Sequence, residues 1–378
     1  MKEWNDKYNP FNSAKLFAHI DRWKRFKVND IPMPVLVTID PTNICNLNCV
    51  WCNAEYVRER RYSLSEKAMD EIVKFIGLDL NPVGDNKFKV KAVCVAGGGE
   101  PFCNRHTPYL LKLLHNAKVH VGIITNGTIP PLHYGEAFKN MLRCEWVGVS
   151  VDAGTAETYS ALKRCGKQMF HHVIRNMNTL IKESNKDKDF LPSGVSYKYL
   201  VHPDNIKEMY IATLLAKSMG CRYIHFRPVG VPWNKLDKPG FYFMDDDVQR
   251  YNEMISKCFE LSDEKFGVIG QTHKYDEHFD IKHNFKKCYA TYMTAVFGPS
   301  KFDDAFDVGL CCDRRGDGSL ELGTFFGAKT LSQAWGSTRH RELTDAIILS
   351  QCPRCTYSSH NEFYQNVILE RKVNEDFI

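Results

Sequence analysis

Six short apolar segments recur along the first 230 residues, and helix-like segments separate them. Each apolar segment is continuous and rich in β-branched residues, which is typical of a buried strand. Strands that alternate with helices predict a parallel sheet with crossover helices. Periodicity alone leaves two architectures open, an open doubly wound sheet and a partial barrel. The six segments are VLVTI (35–39), VKAVCVA (90–96), VHVGIIT (119–125), EWVGVSV (145–151), GVSYKYLV (194–201) and RYIHFRPV (222–229).

The intervening segments carry signals for the start and the end of helices. The first of them, 63–77, opens with a serine cap and closes on Gly77. After residue 230 the pattern changes to an irregular connection and then to shorter elements. The further predicted elements are helices over 107–117, 169–184, 205–220, 247–266 and 330–348, and a hairpin formed by AVFG (295–298) and DVGLCCD (307–313).

Composition limits the class of protein. A net charge of +5 over 378 residues is too small to predict a nucleic-acid partner. The chain contains neither eighteen consecutive apolar residues nor a signal peptide, so we expect a cytoplasmic protein with no membrane partner. Structural disulfides are rare in that reducing compartment. Among the fourteen cysteines, the grouped ones therefore indicate metal or redox chemistry.

Four unusual segments follow the first four predicted strands. In both candidate architectures the carboxyl ends of parallel strands meet on one face, where active sites lie. The sequence therefore predicts that these segments converge on a single site. They are CNLNCVWC (45–52), GGGEP (97–101), TNG (125–127) and SVD (150–152).

Three thiols lie within eight residues in the first of these segments, at Cys45, Cys49 and Cys52. Structural zinc requires four closed ligands, and no fourth cysteine or histidine stands nearby in the sequence. An iron–sulfur cube held by only three cysteines keeps one iron open to a further ligand. The loop therefore favours an open iron–sulfur centre over a zinc site.

The spacing C-x3-C-x2-C, with the aromatic Trp51 directly before the third cysteine, resembles the motif of the radical SAM superfamily. This resemblance implies an α/β fold, a partial (β/α)6 TIM barrel. It also implies a [4Fe-4S] cluster on Cys45, Cys49 and Cys52, with S-adenosylmethionine (SAM) chelated by the open iron.

The resemblance further implies a set of residues that bind SAM. In that family a GGE segment holds the amino group of SAM, and glycines allow the backbone to approach a ligand closely. The alternative for the two pairs that follow the third and fourth strands is a strand-end cap. The implied residues are Gly98, Gly99 and Glu100 for the amino group, Thr125 and Asn126 near the methionine end, and Ser150 and Asp152 at the ribose or carboxylate.

The late cysteines resemble the Twitch domain, a shorter relative of the SPASM domain. The matching features are a lone Cys288, a hairpin that ends in two adjacent cysteines, an LELGT strand, an LSQAW helix and a closing C-x2-C at Cys352 and Cys355. The resemblance implies a small β-hairpin-plus-helix domain that holds a second, auxiliary [4Fe-4S] cluster. Zinc is the physical rival, because four thiolates also form a closed zinc site. Alternation along a strand allows only one of Cys311 and Cys312 to face the metal, and we favour Cys311.

The resemblance covers residues 34 to 357 and gives provisional domain boundaries. The first segment contains an amphipathic helix candidate, AKLFAHIDRWKRF (14–26), and is too short for a leader-binding domain. We predict an N-terminal extension (1–33), a radical SAM core (34–235), a connection (236–287), an auxiliary iron–sulfur domain (288–357) and a tail (358–378).

The function implied is reductive cleavage of SAM and abstraction of a substrate hydrogen atom, with an external electron donor such as flavodoxin or ferredoxin as partner. We expect an oxidoreductase that dehydrogenates a sugar, a cyclitol or a nucleotide-linked small molecule. An electron-accepting auxiliary cluster favours oxidation. The alternatives are a peptide maturase, an epimerase with Cys94 or Cys103 as hydrogen donor, and a non-catalytic zinc or iron–sulfur protein.

Four further residues are weaker candidates for substrate contact. Arg227, at the end of the sixth predicted strand, is placed to bind an anionic group, although we favour a structural ion pair. His273, His278 and His283 lie between the two predicted domains, where histidines are more often solvated than catalytic.

Overall fold

A computed structural model describes residues 13–28, 30–77, 89–130, 135–230, 233–235, 243–270, 283–352 and 355–369. Within these residues the strands form one sheet of ten, and helices cover its outer face. The six predicted strands are all present, within two residues of their predicted bounds.

Seven parallel strands follow one another across the sheet in chain order. A doubly wound sheet would reverse its order at a switch point, whereas sequential order is that of a barrel. The predicted partial barrel is therefore confirmed, with one strand more than expected. The strands are β1 (Leu36–Ile39), β2 (Ala92–Val95), β3 (His120–Thr125), β4 (Trp146–Ser150), β5 (Val195–Val201), β6 (Tyr223–Pro228) and β7 (Gly267–Gly270).

The C-terminal region adds three strands to the same sheet. Strand β8 (Thr294–Pro299) pairs in parallel with β1, and Leu36 is opposite Thr294. Strands β9 (Phe306–Gly309) and β10 (Glu321–Phe325) continue it as an antiparallel meander, so the predicted hairpin is β8–β9. The sheet stays open, with β7 and β10 at its two edges.

The predicted helices are present, although the one predicted over 247–266 ends at Phe259 and another is divided. Trp335 is extended and Gly336 has a φ of 72°, in the left-handed region that favours glycine, so the predicted helix over 330–348 becomes two helices. No helix within the described ranges is both long and apolar enough to cross a membrane. The helices are α1 (Ile20–Arg25), α2 (Glu55–Arg58), α3 (Glu66–Gly77), α4 (Thr107–Asn116), α5 (Glu136–Leu142), α6 (Ala156–Lys163), α7 (Gln168–Ser184), α8 (Met209–Met219), α9 (Asp245–Phe259), α10 (Ala290–Met293), α11 (Ala328–Ala334), α12 (Thr338–Asp345) and α13 (Ser358–Phe363).

Alternation along β5 separates the two faces of the sheet. Tyr197 and Tyr199 are fully buried on the helix-covered face, and their hydroxyls donate to the carbonyls of Ala153 at 2.5 Å and Asn205 at 2.7 Å. These bonds fix the loops that precede α6 and α8. Lys198 lies between the two tyrosines and therefore points to the opposite, concave face, which lines the barrel interior.

Candidate functional site

The cysteine loop lies between β1 and α2 and is tied to its surroundings by backbone bonds. The Val50 N–H donates to the Leu162 carbonyl of α6 at 2.9 Å. Cys45, Cys49 and Cys52 are all half-buried. Burial raises the pKa of the Cys45 and Cys49 thiols, and the neighbouring thiols raise it further. A bound cation would reverse this effect, because a metal deprotonates the thiols that coordinate it.

Arg58 lies beside this loop, a residue that the motif did not predict. Its guanidinium donates to the Leu47 carbonyl at 2.7 Å. Burial lowers the pKa of Arg58, but the thiols, with Cys52 first, outweigh burial and raise it. Its Nε is buried and has no partner within the described chain. A cation with a spare donor suits an anionic iron–sulfur cluster at this position.

The GGE segment packs directly against the cysteine loop. A Cβ added to Gly99 would lie 2.1 Å from the Ile44 carbonyl oxygen, and one on Gly98 would lie 2.7 Å from Cγ2 of Val57. Only glycine permits these approaches. The Glu100 N–H donates to the Ile44 carbonyl at 2.8 Å, which joins the two predicted binding segments.

The carboxylate of Glu100 connects the ends of β2 and β3. It accepts hydrogen bonds from Thr125 Oγ1 at 2.6 Å, from the Asn126 N–H at 2.6 Å and from the Phe102 N–H at 3.3 Å. Burial raises the pKa of Glu100 to about 7, although the three hydrogen bonds oppose the rise. Two of its partners, Thr125 and Asn126, are themselves predicted SAM-binding residues, so one buried acid organises this side of the site.

Asn126 connects the β3 end to the cysteine loop. Its Nδ2 donates to Asn46 Oδ1 at 2.9 Å and lies 3.9 Å from the sulfur of Cys45. Asn46 in turn donates to Thr128 Oγ1 at 2.7 Å. Asn46 and Thr128 were not predicted. They flank motif residues, but a pattern of residue types does not specify a hydrogen bond between two loops.

Asp152 is engaged in a buried ion pair. One carboxylate oxygen pairs with the ammonium of Lys163, and the other accepts from the Leu200 N–H at 2.6 Å. The side chains of Asp152 and Lys163 are only 1% and 3% exposed. Burial lowers the pKa of Lys163, but the charges of Asp152 and a Cys49 thiolate outweigh burial and raise it. The predicted contact of Asp152 with SAM stays a prediction.

Ser150 and Trp51 lie near the carboxyl ends of two neighbouring strands, β4 and β5. Ser150 ends β4, opposite Lys198 in the neighbouring strand, and its side chain is half-buried. Trp51 is buried and stacks on His202 beyond β5, with the ring centroids 5.2 Å apart and the planes at 24°. This stacking fixes the loop next to Cys52.

The late cysteines surround a separate cavity. The volume of this cavity is about 480 Å³, which includes the part of it that is open to solvent. Burial raises the pKa of the Cys288 thiol to about 11 and that of Cys311 and Cys355 well above the usual value. Four uncharged thiols on the wall of one cavity fit a metal cluster, which would deprotonate them. The wall includes Cys288, Cys311, Cys352 and Cys355, with Phe285, Leu310, Leu320, Ile347 and Leu349 among its apolar members.

Cys312 is absent from this wall. Instead, its carbonyl accepts from the guanidinium of Arg315 at 3.0 Å, and Arg315 pairs with Asp40 at 2.6 Å. This placement supports Cys311 as the predicted ligand. On the other side of the cavity, Arg314 lies 3.7 Å from the sulfur of Cys352, in position to donate to a thiolate.

Of the three candidate histidines, one lies in the described part of the chain and two do not. His283 lines the late-cysteine cavity. His273 and His278 lie outside the described residues. In the described ranges, no three His, Cys, Asp or Glu side chains are close enough together to hold a single metal ion.

A family model, Radical SAM superfamily, matches residues 39–215. The match begins at the last residue of β1 and includes the cysteine loop, the GGE segment and the ends of β3 and β4. Residues 39–215 are therefore similar to a radical SAM superfamily domain.

Two curated relatives match parts of the chain. The antilisterial bacteriocin subtilosin biosynthesis protein AlbA of Bacillus subtilis is 25% identical over 135 residues, 36% of this chain and 28% of AlbA. A probable GTP 3',8-cyclase of Saccharolobus islandicus is 27% identical over 222 residues, 57% of this chain and 63% of the cyclase. The chain thus spans less than two thirds of either relative.

Solved structures share the fold over a larger part of the chain. Streptococcus suis SuiB bound to the precursor peptide SuiA is 14% identical, with a TM-score of 0.58, over 96% of this chain and 73% of that one. The protein anSMEcpe, with bound AdoMet and Cp18Cys peptide, is 17% identical, with a TM-score of 0.58, over 82% of both chains. At these identities the likeness concerns the fold alone.

Proposed function

We propose that this chain is a radical SAM enzyme that modifies a peptide. The observation that carries the proposal is that two cysteine sites lie on one sheet. The first is the loop of Cys45, Cys49 and Cys52, and the second is the cavity lined by the four late cysteines. The radical SAM match supports the first site. The fold shared with SuiB and anSMEcpe, whose structures contain peptides, supports the substrate class.

The peptide reading replaces the expectation of a sugar, cyclitol or nucleotide-linked substrate. The similarity to AlbA, a bacteriocin biosynthesis protein, and the fold of SuiB favour the peptide alternative. The chain aligns with only 28% of AlbA, so the similarity supports a class of substrate and no particular peptide.

The residues have separate roles in the proposed enzyme. Cys45, Cys49 and Cys52 hold the first [4Fe-4S] cluster, and Glu100 orients Thr125 and Asn126 at the SAM pocket. With cluster and SAM bound, the chemistry supplied is reductive cleavage of SAM to a 5′-deoxyadenosyl radical that abstracts a substrate hydrogen. The four late cysteines hold the auxiliary cluster, and the buried wall around them excludes water.

The experiment uses the full chain, reconstituted anaerobically with iron and sulfide. The wild type should bind about eight irons, two cubes of four. Changing Cys45, Cys49 and Cys52 to Ala should abolish 5′-deoxyadenosine formation and leave about four irons. Changing Cys352 and Cys355 to Ala is the matched control, and should leave about four irons at the other site. A wild type with about four irons and one zinc would contradict the auxiliary cluster.

The substrate class is tested with synthetic peptides that cover short reading frames encoded beside the gene. We propose an oxidation, so a peptide product should be two hydrogens lighter, and deuterium at the reacting carbon should appear in 5′-deoxyadenosine. A product of unchanged mass that carries a solvent hydrogen at that carbon would instead identify an epimerase.

Similarity to the probable GTP 3',8-cyclase supports a second candidate, a nucleotide substrate. The same assay with ribonucleoside triphosphates separates the two candidates. Stimulation of 5′-deoxyadenosine formation by a nucleotide, and by no peptide, would favour this second candidate.

A further inference from the structure

A second cavity, here called the β8–β9 cavity, lies on the concave face of the C-terminal strands. Val296 and Gly298 of β8 line it, whereas Phe297 between them points the other way and packs on Phe75 of α3. The volume of this cavity is about 480 Å³, which includes the part of it that is open to solvent.

Two glycines keep the floor of the β8–β9 cavity free of side chains. A Cβ added to Gly298 would meet no atom within 4 Å, and one added to Gly309 of β9 would meet none closer than 3.9 Å. A glycine inside a strand often marks a place where a ligand approaches the sheet closely. The two strands therefore leave room on this face for a bound group.

The β8–β9 cavity adjoins both cysteine sites. Cys311 lines it and also lines the late-cysteine cavity. On the other side, Asn43 and Val57 belong to its wall, and both lie against the GGE segment. A Cβ added to Gly98 would be 2.7 Å from Cγ2 of Val57 and 3.0 Å from Oδ1 of Asn43. A group bound in this cavity would therefore lie between the predicted SAM pocket and the late cysteines.

Two of the arginines on this wall are neutralised by aspartates that also line it. Arg315 pairs with Asp40, with 2.6 Å between Nε and Oδ2, and Arg314 pairs with Asp317. These four side chains add no net charge to the cavity. Arg60 is the third arginine on the wall.

Two carboxylates remain on the wall, Asp307 of β9 and Glu321 of β10. Asp307 accepts a hydrogen bond from Thr324 Oγ1 at 2.6 Å, and Glu321 is half-buried. Among the described residues, no basic side chain forms an ion pair with either carboxylate. Burial raises the pKa of Glu321 and the charge of Asp307 raises it further, whereas Arg60 lowers it. Two carboxylates against one arginine favour a bound cation.

A buried amide on the same wall also lacks a partner. Asn43 is only 5% exposed, and its side chain forms no hydrogen bond with another residue of the described ranges. Buried polar side chains are normally hydrogen-bonded. The amide oxygen of Asn43 can therefore accept a hydrogen bond from a ligand, and a cationic group carries several donors.

We propose that the β8–β9 cavity binds a cationic group of the peptide substrate, which Asp307 and Glu321 hold. The inference rests on the proposed function, and adds that the bound segment of the peptide has a basic side chain or a free N-terminus. Carboxylates bind ammonium and guanidinium groups through charge-assisted hydrogen bonds. An anionic group would instead be repelled by the two carboxylates.

The test is anaerobic calorimetry on the reconstituted full chain. The cationic probes are N-acetyllysine methylamide and N-acetylarginine methylamide for a basic side chain, and glycinamide for a free N-terminus. N-acetylnorleucine methylamide is the uncharged probe, and SAM is measured beside them.

The variants are Glu321→Gln, Asp307→Asn and the charge-preserving Glu321→Asp. Asp303→Asn is the matched control, because Asp303 is an exposed carboxylate in the loop between β8 and β9 and does not line the cavity. Iron content verifies folding, and Asp307→Asn provides the test if Glu321→Gln fails to take up iron.

We expect at least one cationic probe to bind the wild type and the Asp303→Asn variant equally. Glu321→Gln and Asp307→Asn should each bind it at least about tenfold more weakly, because each loses a charge-assisted hydrogen bond. Glu321→Asp should recover part of the affinity. The uncharged probe should bind the wild type at least about tenfold more weakly than the cationic one, and SAM affinity should not change.

Three results would overturn the inference: equal binding of every cationic probe by wild type and the two neutral variants, equal binding of the charged and uncharged probes, or loss of SAM affinity in those variants. Carboxylate-dependent binding of a cationic probe, without modification of any peptide, would refute the proposed function and leave the cation site. Modification of a peptide at equal rates by wild type and Glu321→Gln would support the proposed function and refute the cation site.

Discussion

Removing one charge of the buried Asp152–Lys163 pair should destabilise the protein strongly. Asp152→Asn is the least invasive change, because Asn tolerates the φ of 62° and can still accept the Leu200 N–H bond. The variant then loses only the ion pair. Because the two side chains are only 1% and 3% exposed, breaking this pair should lower the free energy of unfolding by about 3–5 kcal/mol. The upper limit is set by Lys163 releasing its proton, which from an ordinary pKa of about 10.4 costs about 4.6 kcal/mol at pH 7.

Because the cost depends on deprotonation of Lys163, the stability of the Asp152→Asn variant should depend on pH. In the folded Asp152→Asn variant the buried lysine is neutral, whereas in the unfolded chain it is protonated below about pH 10. The unfolded state then binds more protons, so stability of the variant rises with pH by about 1.4 kcal/mol per unit between pH 7 and 10. The double variant Asp152→Asn, Lys163→Met has no buried charge and should recover most of the loss.

Pulse proteolysis in urea under anaerobic conditions measures these free energies of unfolding. Glu157→Gln is the control, because its ion pair with Lys167 is 68% and 62% exposed and should be worth less than about 0.5 kcal/mol. Equal stability of Asp152→Asn and wild type at pH 7, with additive effects in the double variant, would refute the reasoning. If Asp152 also contacts SAM, SAM affinity will stay low in the stable double variant.

Three further expectations concern other residues. Ser150→Ala should weaken SAM binding by about 1–3 kcal/mol without changing stability, and unchanged affinity in calorimetry would make Ser150 a strand-end cap only. Cys311→Ser should lower the iron content by about half, whereas Cys312→Ser should not, and the opposite result would exchange the ligand assignment. Burial lowers the pKa of Lys198 to about 7, so the free energy of unfolding should rise between pH 7 and 10. Urea unfolding at both pH values should show this rise in the wild type and a smaller one in Lys198→Met.

The parts of the fold that the sequence predicts well are those set by local chemistry. Continuous β-branched runs gave β1 to β6 because a strand buried on both faces needs apolar residues at every position. Strand β7 (Gly267–Gly270) was missed because a short segment with a glycine at each end carries no such run. The break at Gly336 was missed because glycine is tolerated inside helices, and only its left-handed φ reveals the turn.

The site residues that the sequence predicts are likewise those set by local chemistry. Cysteine spacing and glycines report local backbone requirements, so Cys45, Gly99 and their neighbours could be identified in advance. Arg58 and Asn46 act through contacts between loops, which spacing does not encode. Lys198 resembles a solvated charge in an ordinary strand. Its position between Trp146 and Tyr223 depends on the register of neighbouring strands, which the sequence does not specify.

The parallel pairing of β1 with β8 has a consequence for synthesis of the chain. Leu36 is among the first residues of the sheet to leave the ribosome, but its partner Thr294 follows far later. Until then one side of β1 presents unpaired backbone groups, an edge prone to joining other chains. Such distant pairing also slows folding. A shortened chain ending near residue 287 would keep this edge permanently exposed. We therefore expect it to aggregate rather than to behave as an isolated catalytic core.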